Sequence, residues 1–156
     1  MLKKGKKIDL CRYARSLGIE LIKGMEISCD TDVEDVHILA FGCDWDCKFF
    51  RDLDAQTQNS KIESYKKLIQ VLNENKIHIS WESILENEGR PLEPGKIQKK
   101  YIFEMITKKG YTKSWNEAKL MIKQNPVFDI KREKPNPLDV ISGIHEAGGI
   151  AILAHL

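Results

Sequence analysis

Ile150-Ala151-Ile152-Leu153-Ala154 is an unbroken apolar run of strand length, followed at once by His155. A run with no polar alternation predicts a strand buried on both faces, as in a parallel sheet. Immediately before it, Gly148-Gly149 ends a helix that Asn136 caps and Pro137 opens. A helix feeding a buried strand is the repeating unit of α/β folds.

Upstream, the same class of pattern recurs. Asp9 can cap a helix through Arg15, with Gly18 as its stop. Ile19-Glu20-Leu21-Ile22 reads as a short strand, which Met25-Glu26-Ile27-Ser28-Cys29 continues in alternation. Asp30 to Asp35 is a polar turn, and Val36-His37-Ile38-Leu39-Ala40-Phe41 is a further strand ending at Gly42. From Lys48 to Asn75, Ile62, Tyr65, Leu68, Ile69 and Leu72 share one helical face. Ser80 opens a short helix, and Asn87 to Gly95 is a Gly/Pro loop. Ile97 to Lys109 is helical with Gly110 as its stop, and Ser114-Trp115-Asn116-Glu117 is a capping box. The order is helix, strand, strand, several helices, helix, strand.

With 156 residues, 42% hydrophobic and 31% charged, the chain has enough apolar content for a core. Its net charge of +2 favours no particular partner, but the charge is uneven. Asp30 to Asp54 holds eight acidic and two basic residues; Glu93 to Lys123 holds three acidic and eight basic. The basic stretch reads either as a solvated face or as an attractor of a phosphorylated substrate. No signal peptide and no membrane-spanning run is present, and the four cysteines form no dense framework, so the reading is cytoplasmic with reduced thiols.

Three residues can carry chemistry. Glu26 lies mid-strand among apolar neighbours, where an ionised carboxylate is costly unless paired or metal-bound. His37 lies within the next strand, and His155 at the carboxyl end of the last, where α/β folds place their sites. Each His alone is more often a hydrogen-bonded core residue than a ligand. Together with Glu26 they suit a zinc, manganese or iron ion, and a metal pair can activate a water against phosphorus. His78 and His145 read as solvent-facing. Cys43-Asp44-Trp45-Asp46-Cys47 has an unusual spacing for a zinc site. No P-loop or GxGxxG motif is present, and Trp45, Trp81 and Trp115 read as packing residues.

At these residues the chain resembles the PHP (polymerase and histidinol phosphatase) family. It is nearest to small bacterial PHP phosphoesterases acting on nucleoside 3′,5′-bisphosphates and short RNA. Leu17 to Ser28 resembles that family's LGIE–GIEIS segment, Val36 to Phe41 its VHILGY, and Ala147 to His155 its AGG–LAHP. The resemblance implies a distorted (β/α)7 barrel, of which residues 1–48 and 135–156 are parts and 49–134 a mainly helical insertion. It implies that Glu26 bridges metals and that His37 and His155 hold them, two or three divalent ions serving the complete site. The family's Arg-Pro-His at an insertion helix falls on Lys99-Lys100-Tyr101, which makes Lys99 and Tyr101 substrate-binding candidates. Gly89-Arg90-Pro91 resembles it in letters but lies too far upstream of Gly110-Tyr111.

The family's HxH and TDHD segments and its later DxH pair are not in the sequence, and Leu156 stands where the family has Pro. The expectation is a fragment of a metal-dependent phosphoesterase, inactive alone and self-associating through exposed barrel edges. Two other readings stay open: a non-catalytic phosphate- or nucleic-acid-binding remnant, and a PHP domain associated with a DNA polymerase.

Overall fold

The computed structural model describes residues 10–31, 35–86 and 91–155. The expected Asp9 cap, residues 32–34 of the Asp30–Asp35 turn, Gly89-Arg90 and Leu156 lie outside them. The chain divides into two compact units, one from the described parts of Met1–Phe49 and Pro135–Leu156, the other Phe50–Lys134.

The first unit holds helix α1 (Leu10–Ser16), strands β1 (Gly24–Asp30) and β2 (Asp35–Phe41), the start of α2 (Lys48–Glu74), helix α6 (Pro137–Glu146) and strand β3 (Ile150–Leu153). The strands form one sheet in the order β1-β2-β3, and both pairings are antiparallel. This corrects the parallel placement expected of Ile150 to Ala154. An apolar run records composition and not strand direction, and here β3 returns against β2. It is also not buried on both faces: Ile150 is 65% and Ile152 46% exposed. Ile19 to Ile22 form no strand, and three of them are exposed apolar residues. The ladder ends at Gly24 because its partner β2 ends at Phe41, where Gly42 turns the chain with φ +66°.

Period-two alternation sorts the sheet's side chains. Ile27, Cys29, Ile38 and Ala40 fall on one face and are buried. Val140 and Ile144 are buried on α6, which packs on all three strands. Glu26, Ser28, His37 and Leu39 fall on the opposite face. The connection from α6 to β3 is fixed by its two glycines. Gly148 adopts φ +74°, its N–H donates to the His145 carbonyl, and the Gly149 N–H donates to that of Ile144 at 2.9 Å. This pair of hydrogen bonds closes the helix in a Schellman motif, and β3 starts two residues after Gly148.

The second unit holds the rest of α2, then α3 (Trp81–Glu86), α4 (Lys99–Lys108) and α5 (Trp115–Gln124). Leu68, Ile69 and Leu72 of α2 join Ile84, Ile97, Ile102, Phe103, Ile106, Ala118, Ile122 and Phe128 in one core, the face that the 3.6-residue period predicted. Ser114 Oγ caps α5 by accepting from the Glu117 N–H, and Asn136 Oδ1 caps α6 through the Leu138 N–H. The α2 helix also ends in a Schellman motif, but the left-handed position is occupied by Lys76 at φ +66°. A Cβ there carries a penalty that glycine avoids. Lys76→Gly is therefore expected to raise stability by about 0.5–1 kcal/mol, read as a higher denaturant midpoint at unchanged slope.

Candidate metal centre

Glu26 and His37 meet because of the register. Glu26 pairs with Leu39 and Ser28 with His37, so Glu26 and His37 are diagonal neighbours on one sheet face, within reach of long side chains. His155 arrives differently. The Ala154 N–H donates to the His37 carbonyl at 2.9 Å, extending the β2–β3 pairing beyond Leu153. Strict alternation would then send His155 to the opposite face. The chain has left the pleat at that point, and the ring turns instead toward His37.

The three donor atoms form a tight triangle. His37 Nδ1 lies 2.7 Å from Glu26 Oε1 and 3.1 Å from His155 Nε2, and His155 Nε2 lies 3.8 Å from the same oxygen. The imidazoles meet edge to face, centroids 4.8 Å apart. A tetrahedral ion with bonds of about 2.0–2.2 Å places its donors roughly 3.4 Å apart. The observed triangle brackets that spacing, and imidazole nitrogens with a carboxylate oxygen suit a borderline divalent ion. The residues present therefore fit a cation. The site opens to solvent: the side chains of His37, Glu26 and His155 are 24%, 51% and 72% exposed. Among the described residues this is the one group of three or more Asp, Glu, His or Cys side chains arranged for a metal.

The other sequence candidates fall elsewhere. His78 and His145 are exposed. Burial pushes the Cys43 thiol up, with a smaller contribution from Cys47, and its Sγ sits 3.6 Å from the Phe41 carbonyl. A thiol held protonated is a poor zinc ligand. Lys99 and Tyr101 both lie in the first turn of α4, in the second unit, and Tyr101 packs against the core there. Sequence reading passed over Lys119 and Lys123, which line a cavity together with Lys99. Their i, i+4 spacing was the available signal.

No profile of a known protein family matches the chain. A protein from Haemophilus influenzae described as a 5′-3′ exoribonuclease is 27% identical over 143 residues, 91% of this chain and 50% of its own. The chain spans half the length of that relative. A solved structure from Bifidobacterium adolescentis, assigned as a metal-dependent phosphoesterase, superposes with a TM-score of 0.65 at 22% identity, over 92% of this chain and 50% of that one. At that identity the likeness is one of fold. An amidohydrolase from Chromobacterium violaceum, solved with bound sulfate and no metal, superposes with a TM-score of 0.64 at 19% identity, over 93% of this chain and 50% of its own. No described helix is long and apolar enough to cross a membrane.

Proposed function

We propose that this chain carries part of the active centre of a PHP-type, divalent-metal-dependent phosphoesterase. The observation that carries the reading is the convergence of Glu26, His37 and His155, whose donor atoms lie within 4.8 Å of one another although 118 residues separate the two imidazoles. Side chains that distant in sequence meet at a solvent-facing point of the sheet for a reason, and a shared cation supplies one. A bound manganese, zinc or iron ion would supply Lewis-acid polarisation and water activation. The chain's own residues would then do three things. His37 and His155 offer neutral nitrogens, and Glu26 lowers the charge of the site and has a second oxygen available as a bridge.

The complete architecture proposed is the distorted (β/α)7 barrel, with 49–134 as a mainly helical insertion and 1–48 and 135–156 as barrel parts. Three donors satisfy one ion of the two or three proposed, so turnover by this donor set alone is expected to be slow. Lys99 and Tyr101 are proposed to contact the substrate, a phosphate monoester, nucleotide or short RNA. The exoribonuclease relative supports the RNA end of that range, and the sulfate bound by the amidohydrolase supports an oxyanion. A cytoplasmic location and self-association through open sheet edges belong to the same proposal.

The test is metal content and hydrolysis measured together. After dialysis against manganese or zinc, the chain is expected to retain about one ion per molecule, as three protein donors and one open position imply. Hydrolysis of a bis-phosphorylated nucleotide should be weak and abolished by chelation. No retained metal after dialysis against either ion would overturn the reading.

A further inference from the structure

The second unit holds a cavity of about 480 Å³ lined from α3, α4 and the start of α5. Its size falls within the roughly 300–1,000 Å³ of ligand pockets. Buried Ile84 closes its apolar side, while Tyr101, Met105 and Trp115 line it half-buried, with part of each side chain open to an incoming group. Tyrosine, tryptophan and methionine are enriched at protein interfaces, and the two aromatics are among the commonest anchors of binding energy there. Glu104 and Lys108, both exposed on α4, supply charge at the edge of the cavity.

The charges around this cavity are spread out and do not converge. Lys100, Glu104 and Lys108 stand at i, i+4 and i+8 on α4, so the two lysine positions lie about 12 Å apart along the helix, at 1.5 Å per residue. The Lys100 ammonium lies 5.0 Å from the Tyr101 ring centroid, and that of Lys119 on α5 lies 5.4 Å from the Trp115 centroid. One small anion cannot reach both ends of the α4 row. A second helix can, because residues eight apart on it span the same distance and a residue midway between them faces the cavity. A nucleic-acid strand fits less well. Each accessible ring already meets an ammonium, Trp115 also meets Phe103 edge to face, and the Glu104 carboxylate would repel a phosphate laid between the two lysines.

We propose that this cavity docks an acidic amphipathic helix of a partner protein. Its apolar anchor, a leucine or an aromatic residue, enters between Tyr101, Met105 and Trp115. Acidic residues four before and four after the anchor meet Lys100 and Lys108. This is helix-in-groove recognition, and it does not rest on the phosphoester reading.

The probe is a labelled peptide of about 16 residues, long enough to form a helix. It carries a central leucine, with glutamate four positions to either side, on an alanine and glutamine background. Titrated with the whole chain in the presence of chelator, its fluorescence anisotropy should rise to saturation. Replacing the peptide's leucine by alanine should weaken binding at least about tenfold, from the apolar area lost. Lys100→Glu with Lys108→Glu should weaken it about tenfold, with a larger effect at low salt. The same double variant should instead accept a peptide in which both glutamates are lysines, a gain that misfolding cannot imitate. The proposal is overturned if the anisotropy does not saturate, or if the alanine peptide binds as well. It is overturned too if Lys67→Glu, at an exposed position of α2 outside the cavity, costs as much as the double variant. Displacement of the peptide by an oligouridylate would likewise overturn it and assign the surface to nucleic acid.

Discussion

Glu26→Gln is expected to lower divalent-metal affinity by at least about a hundredfold, since even partners one shell further out are worth about 10–100-fold. It should barely change the stability of the metal-free chain. The two effects separate because the side chain is half exposed and its closest apo interaction is to His37 Nδ1 at 2.7 Å. Glutamine keeps an acceptor oxygen there, and an exposed ionic contact is worth about 0–1 kcal/mol. What glutamine cannot supply is the negative charge that offsets a dication between two imidazoles. At a metal concentration a hundred times the dissociation constant, ligand binding stabilises a fold by about 2.7 kcal/mol. Thermal melts of the parent chain should therefore rise with added zinc or manganese, and those of Glu26→Gln should not. His145→Ala, an exposed histidine of α6, should behave as the parent. An equal metal-dependent rise in Glu26→Gln would place the cation elsewhere and remove the basis of the phosphoesterase reading.

The parts of this arrangement visible in the sequence were those set by local chemistry. Asn136-Pro137 and Ser114-Glu117 announced helix starts, and the structure caps α6 and α5 through those side chains. Gly18, Gly110 and Gly148 announced helix ends, and all three take positive φ. The alternation of Met25 to Cys29 revealed which side of β1 would bury Ile27 and Cys29, leaving Glu26 on the other. What could not be read was direction and pairing. Nothing in Ile150 to Ala154 distinguishes a parallel from an antiparallel neighbour, because the hydrogen-bond partner lies over a hundred residues away. Ile19 to Ile22 carry strand-forming residues, yet a strand needs a partner and β2 is only seven residues long. Of the triad, Glu26 and His37 follow from register once β1 and β2 are paired. The approach of His155 depends on a break in the pleat after Leu153, which no periodicity encodes. The grouping of Lys119 and Lys123 with Lys99 was hidden for a similar reason: two helices must pack before their faces can form one cavity.

Gly149→Ala is expected to destabilise the chain by about 1–3 kcal/mol, the usual cost of forcing an added methyl into a packed site, and to weaken metal binding with it. A Cβ at Gly149 would stand 2.2 Å from Cys43 Sγ and 2.8 Å from the Phe41 carbonyl oxygen. Neither neighbour yields easily: Cys43 is buried, and the oxygen is backbone at the end of β2. Relief must come from β3 moving away, and β3 carries Ala154, whose N–H bond to the His37 carbonyl holds His155 beside its partners. Gly148→Ala is the informative contrast. A Cβ there meets nothing within 4 Å, so its cost is the left-handed backbone alone, about 1 kcal/mol. That strain stays within the helix cap and should leave metal affinity intact. Cys43→Ala combined with Gly149→Ala should recover part of the stability, because it removes the sulfur but not the Phe41 oxygen. Denaturant unfolding and metal titration of the two glycine variants decide the matter. If Gly149→Ala matched the parent in both, β3 would not be what carries His155 to the other two donors.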